Sequence, residues 1–244
     1  MDEINPADFF ADYSKRDHEI VDYAFYRFDA LPSVGFRGPP LAPDVLESGG
    51  YCTAIGAAQT LGVYAPSPFP ALITERTGLP CLNLATGGAT AAFFACQPAL
   101  IEIANRGRFV ILQVMTARAE GNSRAVPVGL NFMRDTRTGE TEMNEAFWLR
   151  MLAEDRAAVP QLVQESLHSW RASYQRLIAQ IHVPIILFDF STKPDDEVTD
   201  FNATTRDEFA AAFRSSWIAL RSTPWRGSAR MSPPAKARVA CRIH

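Results

Sequence analysis

The chain has 244 residues, 47% of them hydrophobic and 21% charged, with a formal net charge of −3. It is long enough to bury a sizeable core as one α/β domain and too apolar for a disordered or fibrous chain. The small negative total gives no electrostatic ground for expecting a nucleic-acid partner, and no apolar stretch reaches the roughly 18 residues that a membrane span needs.

Residues 1–50 are polar and aromatic, and Pro32, Pro39, Pro40 and Pro43 interrupt any long helix. They read as an irregular arm wrapping the domain. The acidic start, MDEINPADFF, lacks the basic-then-apolar order of a signal peptide, so the expected location is cytoplasmic. The first strand is expected over 51–57, a near-continuous apolar run ended by Gly56, as suits a strand buried on both faces. A helix over 68–76 follows, with prolines at its start and Gly78 at its end. A second strand is expected over 79–84, a long helix over 89–106, and a third strand over 109–115, the most apolar run in the chain. Residues 116–142 read as one long polar loop. Helices over 144–154 and 160–181, a fourth strand over 183–190 and a last helix over 206–220 complete the pattern.

Strands alternating with helices predict right-handed crossovers around a parallel sheet of four to five strands, in a three-layer flavodoxin-like arrangement. The expected organisation is an arm (1–50), an α/β domain (51–222) and a flexible basic tail (223–244). Acidic residues stop at Glu208, whereas Arg214, Arg221, Arg226, Arg230, Lys236, Arg238 and Arg242 lie beyond it. Cys52, Cys81, Cys96 and Cys241 form no C-x-x-C pair, and the first three read as reduced core residues.

In such a sheet, ligands bind beyond the carboxyl ends of the strands. The residues placed there are Gln59 and Thr60; Asn83, Thr86, Gly87 and Gly88; Thr116, Arg118, Asn122, Ser123 and Arg124; and Asp189, Ser191, Lys193, Asp195 and Asp196. The run Ile55-Gly56-Ala57-Ala58-Gln59-Thr60-Leu61-Gly62 resembles the first block of the SGNH (GDSL-type) hydrolases, and Asn83-Leu84-Ala85-Thr86-Gly87-Gly88 resembles their second, where a glycine amide serves an oxyanion hole. A longer pattern, from Phe36-Arg37-Gly38-Pro39 through Gln113-Val114-Met115 and Arg118 to Asn122-Ser123, is similar to an uncharacterised alphaproteobacterial family. The SGNH resemblance implies the same fold class and action on an ester-type bond, an O-acyl group or lactone, including one carried by a saccharide. The family's serine position is occupied by Ala58, which cannot attack a carbonyl. Its Gly-x-Asn-Asp and Asp-x-x-His blocks are missing.

Two replacements offer themselves. Thr60 could supply a hydroxyl with His168 as its base, against the plain reading of Thr60 as a cap or turn residue and His168 as a helix-boundary residue. Alternatively, helix amino termini beside Gly56, Ala58, Gln59, Gly87 and Gly88, joined by Arg118, Arg124, Asn122 and Ser123, could hold an anion or glycan without catalysis. A transferase in polysaccharide or lipid modification is a third reading. The expected partner is a small molecule or saccharide. No cofactor or metal is expected, because no His or Cys joins Asp189, Asp195 and Asp196 at ligand spacing.

Overall fold

The computed structural model describes residues 21–190 and the strand at 239–242. These group into two compact units, one built from residues 21–115, 176–190 and 239–242, the other from 116–175. The boundaries read from the sequence, after residues 50 and 222, do not coincide with this division.

In the first unit, the stretch read as an irregular arm is structured from residue 26 onward. Strands β1 (Tyr26–Phe28) and β2 (Leu31–Phe36) form an antiparallel hairpin, followed by helix α1 (Pro43–Ser48). Proline sits in the first turn of α1, where a missing N–H costs nothing, and Gly49 closes it in the left-handed conformation. Three- to six-residue elements carry too little periodicity to stand out among prolines.

The main sheet contains β3 (Cys52–Ile55), β4 (Cys81–Asn83), β5 (Val110–Gln113), β9 (Ile185–Asp189) and β10 (Val239–Arg242). All pairs are parallel, in the order β4-β3-β5-β9-β10. Every residue of β3 and β5 is buried, which accounts for their continuous apolar sequences. Strand β10 lies inside the segment read as a flexible basic tail, so those four residues belong to the sheet and correct that expectation.

Between the strands run α2 (Ala58–Leu61), α3 (Phe69–Thr77), α4 (Ala91–Ala95) and α5 (Pro98–Arg106). The single helix expected over 89–106 is two. The Thr90 side chain caps α4 by accepting from the Phe93 N–H at 3.2 Å, and Pro98 holds Gln97 out of the helical region and restarts the chain as the first residue of α5.

One face of the sheet carries Cys52, Ala54, Cys81, Ile111 and Phe188 as an apolar cluster against Phe69, Ile73, Leu79 and Phe109. The register sets Asn83 beside Ala54 and Gln113 beside Phe188, so two carboxamides border this cluster while their positions stay buried.

In the second unit, the expected long loop is instead a three-stranded antiparallel sheet of β6 (Ala125–Pro127), β7 (Phe132–Asp135) and β8 (Thr141–Met143). Gly129 and Gly139, both at positive φ, lie in its two turns. Strands this short, with one solvent-facing side, read as polar loop. Helix α6 (Asn144–Glu154) follows as expected, then a 3₁₀ turn (Arg156–Ala158) and α7 (Val159–Gln180), whose last residues belong to the first unit. Among the described residues no helix is long and apolar enough to cross a membrane.

Candidate functional site

The organising residue is Gln113, the last of β5 and 3% exposed. Its Oε1 accepts from the Ala57 N–H at 2.9 Å, the Thr60 N–H at 3.3 Å and the Thr60 hydroxyl at 2.7 Å. Because backbone N–H groups only donate, these bonds fix which end of the carboxamide is oxygen. Its Nε2 therefore points the other way and donates to Gln59 Oε1 at 2.8 Å. Gln59 is exposed, and with its oxygen engaged by Gln113 its NH₂ group is the donor end of the pair.

Gly56 makes this contact possible. A β-carbon there would lie 2.3 Å from Thr60 Oγ1 and 2.5 Å from Gln113 Oε1, inside any tolerable separation. From the neighbouring strand, Asn83 Nδ2 donates to the Thr60 carbonyl at 3.0 Å, while its Oδ1 accepts from the Ala85 N–H at 3.0 Å. Tyr26 of the hairpin donates its hydroxyl to the Asn83 carbonyl at 3.2 Å, and burial pushes that phenol above its ordinary pKa. The turn after β4 joins the same region through the Thr86 N–H, which donates to the Gly56 carbonyl at 3.2 Å. Gly87 and Gly88 follow directly, Gly88 with a φ of 74°. The Thr86 hydroxyl is buried and makes no hydrogen bond among the described residues.

Behind α2, buried Arg37 fans its guanidinium across the following loop. It donates to the carbonyls of Gly62 at 2.6 Å, Ala65 at 2.8 Å and Pro66 at 2.9 Å, and its carbon lies 4.8 Å from the centre of the Tyr23 ring. That cation is spent on backbone oxygens. The groups at the carboxyl edges of β3, β4 and β5 are accordingly neutral: Gln59, Thr60, Asn83, Thr86 and Gln113.

The remaining expected site residues are placed as follows. Thr60 is fully buried and its hydroxyl proton is held by an amide oxygen, which is too weak a base to activate it. It is the third residue of α2 and does not cap that helix. His168 is exposed on α7 in the second unit. His182 stands just before β9, at the amino end, where its N–H donates to Asn105 Oδ1. His18, His244, Asp195 and Asp196 lie outside the described residues. At the start of α2, the Ala57 and Thr60 N–H groups are both taken up by Gln113.

Residues 118–124 belong to the second unit and are engaged there. Arg118 lies 3.7 Å from a Glu145 oxygen, and Arg124 lies 3.7 Å from Asp135. Asn122 Oδ1 accepts from the N–H groups of Arg124 and Ala125, and its Nδ2 donates to Ser166 Oγ at 3.1 Å. The Ser123 N–H donates to Glu165 at 2.7 Å. Ser173 donates to the buried Glu120 carboxylate at 2.9 Å. These bonds tie the 116–125 segment to α7. Among the described residues no cluster of His, Cys, Asp or Glu could hold a metal ion.

Sequence reasoning singled out neither Gln113 nor Arg37 as a site residue. The signal for Gln113 was available: one polar residue interrupting Phe109-Val-Ile-Leu-Gln-Val-Met115 at a strand end. Arg37 carried none, since an arginine in a proline-rich segment reads as solvated.

A family described as "Domain of unknown function (DUF6473)" matches residues 11–124. The chain is similar to it over a span that includes Arg37, Gly56, Gln59, Thr60, Asn83 and Gln113. No curated protein matches the chain.

Proposed function

We propose that this chain is an SGNH-like protein of the flavodoxin-like three-layer class that binds a neutral, hydroxyl-rich ligand such as a saccharide without forming a covalent intermediate. The fold reading rests on strand order. Numbered by sequence among themselves, the parallel strands run 2-1-3-4-5, and the order reverses between β3 and β5. In sheets of this kind, that reversal is where ligands sit.

The observation that carries the functional reading is the carboxamide chain Gln59–Gln113 at the carboxyl edges of β3 and β5. Glutamine and asparagine pair readily with hydroxyl groups and carbonyls, and the neutral carboxamides of Gln59, Asn83 and Gln113 favour a neutral ligand over an anion. Ester hydrolysis through Thr60 and His168, expected from the sequence, loses its support with the Thr60 hydroxyl buried against Gln113. Ala58 offers no substitute nucleophile.

Saturation-transfer NMR with maltotriose, cellotriose and chitotriose, with inorganic phosphate as the anionic comparison, tests the reading. Binding of a neutral oligosaccharide, lost in a folded Gln59→Ala variant, is expected, together with no p-nitrophenyl acetate turnover above buffer. Turnover that disappears in Thr60→Ala would establish the hydrolase instead. Phosphate binding with no oligosaccharide binding would overturn the neutral-ligand assignment.

A further inference from the structure

We propose that Cys52 and Cys81 are a redox modification site, closing to a reversible disulfide when the protein meets hydrogen peroxide. The two residues are direct register partners on adjacent parallel strands, and both belong to one core cluster, so their side chains share a face of the sheet. Neighbouring strands lie about 4.8 Å apart, which falls within the roughly 4.4–6.8 Å between Cα atoms that a disulfide spans. Both cysteines are free thiols, and the neighbouring Cys81 thiol holds Cys52 below the ordinary cysteine pKa.

Position supplies a route for the oxidant. Among the described residues β4 pairs on one side only, with β3, and Cys81 is 8% exposed whereas Cys52 is sealed. Peroxide is close to water in size and can enter as the edge strand opens. Exposed Cys96 stands on neither strand and has no registered partner.

The chemistry closes without a further co-reactant. The Cys81 S–H hydrogen bond favours the Cys52 thiolate, which makes Cys52 the attacking sulfur. It attacks one peroxide oxygen, the O–O bond breaks, and the departing hydroxide takes a proton as water, leaving Cys52 as a sulfenic acid. The Cys81 sulfur, giving up its proton, attacks the sulfenic sulfur; the S–O bond breaks and a second water leaves. Two thiols and one peroxide become one disulfide and two waters, with two electrons passing from sulfur to oxygen. The bridge would pin the edge strand to β3, two residues before Asn83, which supports Thr60 from that strand.

The test uses the full chain carrying Cys96→Ser, treated with peroxide while folded, alkylated with N-ethylmaleimide and digested with trypsin. Each remaining cysteine then falls in its own peptide: 38–76, 77–106 and 239–242. The expected product links 38–76 to 77–106, loses two hydrogens in mass, and returns to free thiols with dithiothreitol, while 239–242 stays alkylated. In Cys81→Ser, where the resolving thiol is gone, dimedone should instead trap a sulfenic acid on Cys52. Full alkylation of both peptides after oxidation, linkage directed to 239–242, or over-oxidation of Cys52 without a cross-link in the Cys96→Ser chain would each overturn the assignment.

Discussion

Gln113 joins the start of α2 to the end of β5 through several hydrogen bonds, and its removal has a calculable consequence. Gln113→Ala strips the acceptor from two backbone N–H groups and one hydroxyl in a place closed to bulk water. Leaving such donors unsatisfied costs about 1–3 kcal/mol each when water cannot reach them. We therefore expect a loss of about 2–4 kcal/mol in urea-induced unfolding. A loss below about 0.5 kcal/mol, the scale of an ordinary surface substitution, would show that the three donors find other partners. Glu165 offers a pH-dependent case in the second unit. Its carboxylate is held below the ordinary range by the Ser123 hydroxyl first, then the Ser123 N–H and Gln161. A carboxyl whose folded pKa is depressed stabilises at pH values above its unfolded pKa, and that contribution disappears as pH falls through the folded value. Wild type should exceed Glu165→Gln in stability at neutral pH, with the gap closing in acid; a gap independent of pH would contradict the assignment.

Among the elements, the three-stranded sheet of the second unit depends on a buried carboxylate more than on its short ladders. Asp135 accepts from Arg150 at 2.8 Å and from the Arg137 and Thr138 N–H groups, while Arg150 also meets Glu142 at 2.5 Å. These carboxylates, Glu142 foremost, hold Arg150 firmly protonated. Asp135→Asn keeps the shape and removes the charge, and should destabilise by about 2 kcal/mol, the scale of a hydrogen bond to a charged group. An unchanged thermal midpoint would rule that dependence out. This sheet also marks the limit of what periodicity reveals. Helix α6 is legible because three turns repeat an apolar stripe, β3 and β5 because runs buried on both faces leave no alternation to misread, and β9 because its sequence is continuously apolar up to Asp189. Strands of three or four residues with one solvent-facing side, and a helix break set by one proline, lie below that resolution. For the site, the loop positions following each strand were legible. Which of them meet was not, because the meeting is made by Gln113 from within a strand and by Arg37 from a segment that reads as an unstructured arm.

At the scale of the whole molecule, the sheet is completed by a strand that follows β9 by some fifty positions in the chain. Without it, β9 would present a row of unpaired backbone groups alongside Ile186, Leu187 and Phe188, a template for pairing with another chain. Deleting residues 237–244 should raise light scattering on concentration and heating. A truncated chain that stays as monodisperse as the full one would show that β10 contributes little to protecting that edge.

The position of Gln113 also governs how variants in this region should be interpreted. The side chain that presents Gln59 to the outside is the same one that props the chain as it leaves β3, so recognition and foldedness are wired through a single residue. Substitutions around it will surface first as poor yield or early melting, and a screen that scores only ligand capture will mistake collapse of the scaffold for loss of specificity.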